Sequence, residues 1–115
     1  VELGHYDMAM PAVNVVNFPT INMALRKAAG SGMGIISMKG ARPVVTRGNP
    51  GDSVPQWRID KLNRAVPGDH KLPHKAYLFN LQNPYIAGVI SDFRSEEMIR
   101  ENLELVGQKI EIQRI

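Results

Sequence analysis

Three short apolar runs, separated by helical patterns, constrain the fold of this chain most strongly. The runs cover residues 6–16, 33–38 and 85–93, and few charges interrupt them, which is typical of strands buried on both faces. Pro11 lies inside the first run, and because proline cannot donate to a ladder, we expect it at the end or edge of the pairing. When strands alternate with helices along a chain, the strands pair in parallel and the helices form the crossover connections between them. We therefore predict an α/β fold with about three βα units.

The helices on either side of these runs have recognisable ends. Pro19 and Thr20 open the first helix, and Gly30 and Gly32 stop it. Because segment 30–34 follows a helix and enters a strand, we interpret it as a turn rather than as a phosphate-binding glycine loop, which leaves a strand and opens a helix. A second helix over 73–82 is opened by proline and has a mostly buried side.

The last helix, over residues 95–106, has the clearest pattern in the chain. Ser95 is a good N-cap, and Glu96 and Glu97 favour the positive first turn. An apolar face follows at three- and four-residue spacing. Its members are Met98, Ile99, Asn102, Leu103 and Val106.

The segment over residues 40–72 differs from the rest because glycine and proline break any long element. We expect a long loop or an insertion here, within one domain over residues 1–115. A short helix over residues 54–65 is the exception, with Trp57, Leu62 and Ile59 as its apolar face.

Composition narrows the class of protein. The chain has 115 residues, no cysteine, a net charge of +3 and no apolar run of membrane-spanning length. These values exclude disulfides and cysteine chemistry on this chain, leave the redox compartment open and predict no membrane segment. We expect a cytoplasmic protein. A pI near 9.5 without a clustered basic face argues against nucleic acid as a partner. The chain begins without Met, directly before a strand-like run, so we expect further residues upstream.

A possible anion site lies where the third run meets the last helix. Residues 91–95 leave a strand and open a helix, so backbone N–H groups and the helix dipole face an anion there, and Arg94 adds a bidentate donor. An ordinary capped helix with an exposed arginine explains the same residues equally well, and the charge of Asp92 opposes an anion. Glu101 and Asn102, on the second turn, are by themselves a solvated face and a half-buried polar residue.

The histidines give no comparable signal. His70 and His74 are separated by Pro73, so they cannot share a regular helical face. We interpret them as solvated loop residues rather than as metal ligands.

Four stretches resemble one enzyme family in order and spacing. Residues 6–14 read YDMAMPAVN, residues 32–39 read GMGIISMK, residues 76–86 read AYLFNLQNPYI, and residues 89–103 read VISDFRSEEMIRENL. These resemble strands and helices of the aldo-keto reductases, whose final strand and helix carry Val-Ile, a capped variable stretch and Glu-Asn. Only residues 41–72 have no recognisable counterpart.

The resemblance implies a partial TIM (β/α)8 barrel. The matched stretches would be the sixth, seventh and eighth βα units of an NADPH-dependent carbonyl oxidoreductase. The catalytic Asp, Tyr, Lys and His of the family lie on earlier strands, so the resemblance implies no catalytic residue here and no activity for the chain alone. The substrate of a complete barrel would be a carbonyl compound.

The cofactor half of the site would remain in this chain. By resemblance, Glu101 and Asn102 contact the adenine of NADP, and Arg94 is a candidate for its 2′-phosphate. Met38 takes the place of an aromatic residue on the nicotinamide face, and Met10 that of a Gln that holds the carboxamide. Methionine packs against a ring but cannot hydrogen-bond an amide as glutamine does.

Three βα units leave two open parallel edges and an unsealed barrel interior. We therefore expect the remainder of the barrel, or self-association, to cover them. The alternative to a reductase is a non-catalytic interaction or regulatory module that kept the fold. The presence of Met10 and Asp92 favours this alternative. A basic nucleic-acid-binding protein ranks last, since it rests on pI alone.

Overall fold

The computed structural model describes residues 4–46 and 50–113. Within them, three short strands form one parallel sheet of order β1-β2-β3, and four helices accompany it. In chain order the elements are β1 Met8–Ala9, α1 Thr20–Gly30, β2 Gly34–Ser37, α2 Gln56–Ala65, α3 Leu72–Leu81, β3 Gly88–Val89 and α4 Glu96–Glu104. The predicted α/β class with parallel strands is confirmed.

The strands are shorter than the apolar runs that predicted them. Regular pairing of β1 with β2 ends at Ala9, and one isolated bridge joins Ala12 to Met38 beyond Pro11. The Pro11 carbonyl still accepts from Met38 N at 3.0 Å, but Pro11 has no N–H to donate. The proline therefore ends the regular ladder, as predicted, and the remainder of run 6–16 is not strand.

The first helix begins without a side-chain cap. Pro19 is at the N-cap position and no side chain caps α1. Asn17, the nearest polar candidate, closes a turn instead, donating to the Ala12 carbonyl at 2.8 Å and accepting from Asn14 N at 3.0 Å. At the other end, Gly32 has a φ of +84°, which glycine adopts without strain, so the predicted turn is confirmed.

Helix α2 confirms the predicted helix inside the long loop, with one correction to its face. Leu62 and Ala65 are buried, whereas Trp57 is half-exposed. Lys61 ties α2 to the start of α1, because its Nζ donates to the Phe18 carbonyl. Burial, with a smaller contribution from Arg64, lowers the pKa of Lys61.

Helix α3 is the centre of the packing. Every residue from Lys75 to Asn80 is buried, so the helix is enclosed all round rather than along one side. Ala76 and Phe79 pack with Leu62 of α2, and Leu78 packs with Leu105 just after α4. A separate cluster joins α1 to β2 through Leu25, Ala28 and Ile35.

The helices cover one face of the sheet. Successive strand residues point to opposite faces, and Ile35 packs on α1 while the Ser37 hydroxyl lies 3.3 Å from Asn80 Nδ2 of α3. The other face is apolar and is here named the open face. By register its large side chains are those of Met8, Met10, Ile36, Met38 and Ile90.

Much of the open face is uncovered by the described part of the chain. Met8 is 59% exposed, Met10 53% and Ile90 45%. The apolar face predicted for α4 is mostly uncovered too, since Ile99, Leu103 and Val106 are exposed, whereas Met98 and Asn102 are partly buried. The helix contacts α3 through Leu105, which lies on a different side, and this geometry leaves the predicted face outward.

No helix in the described ranges combines the length and hydropathy needed to cross a membrane.

Candidate functional site

The carboxyl ends of the three strands lie along one side of the sheet, because the strands are parallel. We name this side, where the chain leaves each strand, the strand-exit edge. In open α/β sheets and in barrels, ligands bind at this edge. Met10 and Met38 directly follow β1 and β2, and Arg94 lies in the loop between β3 and α4. Glu101 and Asn102 lie on α4 itself. These are the five residues that the resemblance implies for the cofactor.

Met10 and Met38 share the open face. Ala12 pairs with Met38, and Met10 is two residues before Ala12, so the alternation of a strand puts both methionines on the same side of the sheet. Met38 is partly buried and Met10 is half-exposed. The pair therefore presents a polarizable surface on which a planar ring can pack, with no hydrogen-bond donor.

Helix α4 begins as the sequence predicts. Ser95 Oγ accepts from Met98 N at 3.1 Å, which caps the first turn. The turn is acidic, with Glu96 and Glu97 as its first two residues. The positive end of the helix dipole stabilises both carboxylates, and both carboxylates repel a bound anion.

Arg94 is already paired. Its Nε lies 3.1 Å from Asp92 Oδ2, and both side chains are about half exposed. The predicted opposition between Asp92 and an anion is therefore present as a direct contact. An exposed pair of this kind contributes little stability, so an incoming phosphate can replace the carboxylate.

Asn102 faces the loop that enters α4. Its Nδ2 donates to Ser91 Oγ at 2.8 Å, and the side chain is partly buried, as predicted. This hydrogen bond ties the second turn of α4 to the residues that follow β3. Asn102 therefore lies beside the strand-exit edge.

Glu101 is directed toward the start of α3 instead. Lys71 Nζ lies 3.2 Å from its Oε1, and His74 Nε2 lies 3.3 Å from its Oε2. Treating His74 as a solvated loop residue was wrong: it lies in the first turn of α3 and its side chain is only 16% exposed. The helix that Pro73 opens includes position 74, and this brings the imidazole against α4.

A second cluster at the same edge was missed at the level of sequence. A cavity of about 360 Å³ is lined by Asn14 from the segment after β1, by Lys39 from the segment after β2, and by Arg42, Asp52 and Arg58. We name it the cationic cavity. Arg42, Asp52 and Arg58 belong to the segment without a family counterpart, whereas Asn14 and Lys39 end two of the stretches that resemble the family. A loop that leaves the carboxyl end of a parallel strand and carries several cations is the signal that could have found it.

Two hydrogen bonds to backbone carbonyls position the Lys39 backbone and the Arg58 guanidinium in this cavity. Asn14 is 6% exposed, and its Nδ2 donates to the Lys39 carbonyl at 3.4 Å. The backbone of Lys39 has a φ of +56°. Arg58 Nη1 donates to the Pro43 carbonyl at 3.3 Å, and its guanidinium lies 5.6 Å from the Trp57 ring centroid.

Among residues 4–46 and 50–113, no three His, Asp or Glu side chains come together as a metal site. Comparison with known proteins adds no relative: no family model, curated protein or solved structure matches the chain.

Proposed function

We propose that this chain is the cofactor-binding C-terminal portion of an aldo-keto reductase-like TIM barrel that binds NADP(H). The single observation that carries the proposal is the sheet itself. Its three parallel strands have helices on one face and an apolar open face on the other, and barrel interiors are lined in this way. Eight strands close such a barrel, so the other strands would pair with the two free edges and enclose Met8, Met10 and Ile90.

The residues at the strand-exit edge would bind the cofactor through packing against its rings and through an ionic contact with its 2′-phosphate. Met10 and Met38 would pack against the nicotinamide ring. Arg94 would exchange Asp92 for the 2′-phosphate, and Asn102, beside the same loop, would lie against the adenosine. When bound, NADPH supplies a hydride to a carbonyl carbon. The chain's own contribution is to orient the ring and to exclude water from the face on which the methionines lie.

Competition between Asp92 and phosphate gives a sharp test. In the native protein, titrated with NADPH by fluorescence, we expect Arg94→Ala to weaken NADPH binding about tenfold or more, because a charge-assisted hydrogen bond is lost. Asp92→Asn should tighten it by up to about fivefold, because the exposed ion pair no longer competes. Neither substitution should change the affinity for NADH, which lacks the 2′-phosphate.

Arg100→Ala is the matched control, since Arg100 is an exposed arginine on α4, the helix that follows Arg94. Equal weakening by Arg94→Ala and Arg100→Ala would contradict a specific phosphate contact. The intact mass of the native polypeptide is measured on the same sample. A mass of 12.8 kDa together with no NADPH binding would overturn the proposed function.

One observation favours a second candidate, a non-catalytic interaction module. The open face and the exposed residues of α4 offer an apolar surface, while Asp92, Glu96 and Glu97 oppose a dinucleotide at the helix start. This module would associate with a partner through the open face without binding NADPH. Unchanged thermal stability on adding NADPH, with association retained, would support it over the reductase.

A further inference from the structure

Helix α4 depends on polar contacts for its position. No residue within its bounds is buried, and Leu105, just after its end, supplies an apolar contact with α3. On its second turn, Glu101 reaches the start of α3, where Lys71 Nζ lies 3.2 Å from one carboxylate oxygen and His74 Nε2 lies 3.3 Å from the other. We name Lys71, His74 and Glu101 the interhelical cluster. It ties the second turn of α4 to the first turn of α3.

His74 contributes more to this cluster than Lys71 does. The side chain of His74 is 16% exposed and that of Glu101 30%, whereas that of Lys71 is 67% exposed. Water competes with an exposed ion pair, so the contact with Lys71 is weak, while the shielded contact of the imidazole with the carboxylate is stronger. Lys75, the next residue along α3, is directed to α2 instead, where its Nζ lies 3.0 Å from Asn63 Oδ1. The carboxylate that His74 faces is therefore that of Glu101.

The residue after Glu101 connects α4 to a different part of the molecule. Asn102 Nδ2 donates to Ser91 Oγ, in the loop that follows β3. Two adjacent residues thus fix the same turn of α4, Glu101 against α3 and Asn102 against the strand-exit edge. A displacement of Glu101 would move Asn102 with it, because both belong to one helical turn.

We propose that His74 is a positioning residue for the adenosine half of NADP(H). It holds Glu101 and, through the helix backbone, holds Asn102 where the adenosine would lie. Both oxygens of the Glu101 carboxylate are engaged by α3, so Glu101 also acts through Asn102 rather than by contact with the adenine. Binding groups must be held within about 0.5 Å of their productive geometry by neighbouring contacts. The inference rests on the proposed function, in which Asn102 lies against the adenosine.

The test compares two ligands that share the nicotinamide ring and differ in the adenosine half. NADPH and reduced nicotinamide mononucleotide, which has no adenosine, are titrated into the native protein by fluorescence. His74→Met retains a side chain of similar length without an N–H donor. We expect this variant to weaken NADPH binding about fivefold or more, because a hydrogen bond to a charged group is lost. Its affinity for the mononucleotide should stay within about twofold of that of the unmodified protein.

Three further variants assign the effect to the imidazole. His74→Gln places an amide N–H near the position of Nε2 and should restore most of the NADPH affinity. Lys71→Ala should weaken NADPH binding by less than about twofold, since its contact is exposed. His70→Ala is the matched control, because it removes an exposed histidine just before α3 and should leave both affinities unchanged.

A double-mutant cycle separates positioning from direct contact. If Glu101 acts together with His74, the protein with both His74→Met and Glu101→Gln should bind NADPH within about twofold of either single variant. Additive losses would show that Glu101 contacts the adenine independently of His74 and would contradict the proposal. Glu101→Gln alone should affect the two ligands as His74→Met does, so the test does not depend on the folding of one variant.

Two results overturn the positioning role while the proposed function stands. One is an unchanged NADPH affinity in His74→Met. The other is equal weakening of NADPH and mononucleotide binding, which would make His74 a general structural residue. Absence of NADPH binding by the unmodified protein is a distinct result, and it overturns the proposed function and this inference with it.

Discussion

Gly40 lies where the chain leaves β2 and passes against α3. A Cβ at this position would be 2.7 Å from Asn80 Nδ2, closer than real Cβ contacts. The Asn80 amide cannot move away cheaply, because the same Nδ2 donates to the Val13 carbonyl at 2.8 Å and the residue is 1% exposed. One buried asparagine therefore joins the exit of β1 to α3 and requires glycine after Lys39.

We expect Gly40→Ala to lower the free energy of unfolding by about 1–3 kcal/mol, the usual range for overpacking a buried position. Gly30→Ala is the control, since a Cβ there has nothing within 4 Å and the residue ends α1. That change should be neutral or stabilising by up to about 1 kcal/mol. Urea denaturation of the native protein measures both. Similar values for the two variants would contradict the close approach at Gly40.

At the scale of the element, α3 and α4 show how differently two helices of similar length are stabilised. Helix α3 is enclosed by α2 on one side and by β3 and Leu105 on another, so packing holds it. Helix α4 has no buried residue within its bounds. It depends on the Ser95 cap, on the Asn102–Ser91 hydrogen bond and on the ion pairs of Glu101.

We expect Ser95→Ala to destabilise α4 by about 1 kcal/mol, because the Met98 N–H loses its acceptor. Faster hydrogen exchange of the Met98 amide in the native protein is the local readout. Ser95→Thr retains the hydroxyl and should restore most of the protection. If the alanine and threonine variants exchange equally fast, the cap does not hold the first turn.

The molecule as a whole has one covered and one uncovered face. Clusters of buried residues lie between the sheet and the helices, while much of the open face is exposed and neither outer strand has a further strand partner among residues 4–46 and 50–113. An exposed apolar sheet face with unpaired edges is costly in water and promotes association. This imbalance is the reason for proposing further strands around the sheet.

Substitutions at two exposed methionines distinguish an open face that is covered in the native protein from one that is exposed to water. Met8 is on the open face, and Met23 is 79% exposed on α1. If other strands cover the open face in the native protein, Met8→Lys should destabilise it by about 2 kcal/mol or more, because a charge enters an apolar interior. Met23→Lys should stay within about 0.5 kcal/mol of the unmodified protein. Equal, small effects in chemical denaturation would contradict a covered open face and with it the barrel.

The sequence was sufficient for local features. Apolar runs and helical spacing predicted all three strand positions and all four helices, because periodicity and end signals such as Ser95, Pro73 and Gly32 act within a few residues. The strand lengths were overestimated where Pro11 interrupts the ladder. The identification of Met10, Met38, Arg94, Glu101 and Asn102 as cofactor residues stays a prediction.

Only the tertiary structure decided which side chains meet across long stretches of chain. It pairs Glu101 with Lys71 and His74, aims α4's apolar face outward, and gathers Lys39, Arg42 and Arg58 around one cavity. These contacts depend on how α2, α3 and α4 pack against the sheet, and local periodicity carries no information about such distances. Charge at the strand-exit edge therefore lies over β2, although the sequence pattern directed attention to the start of α4.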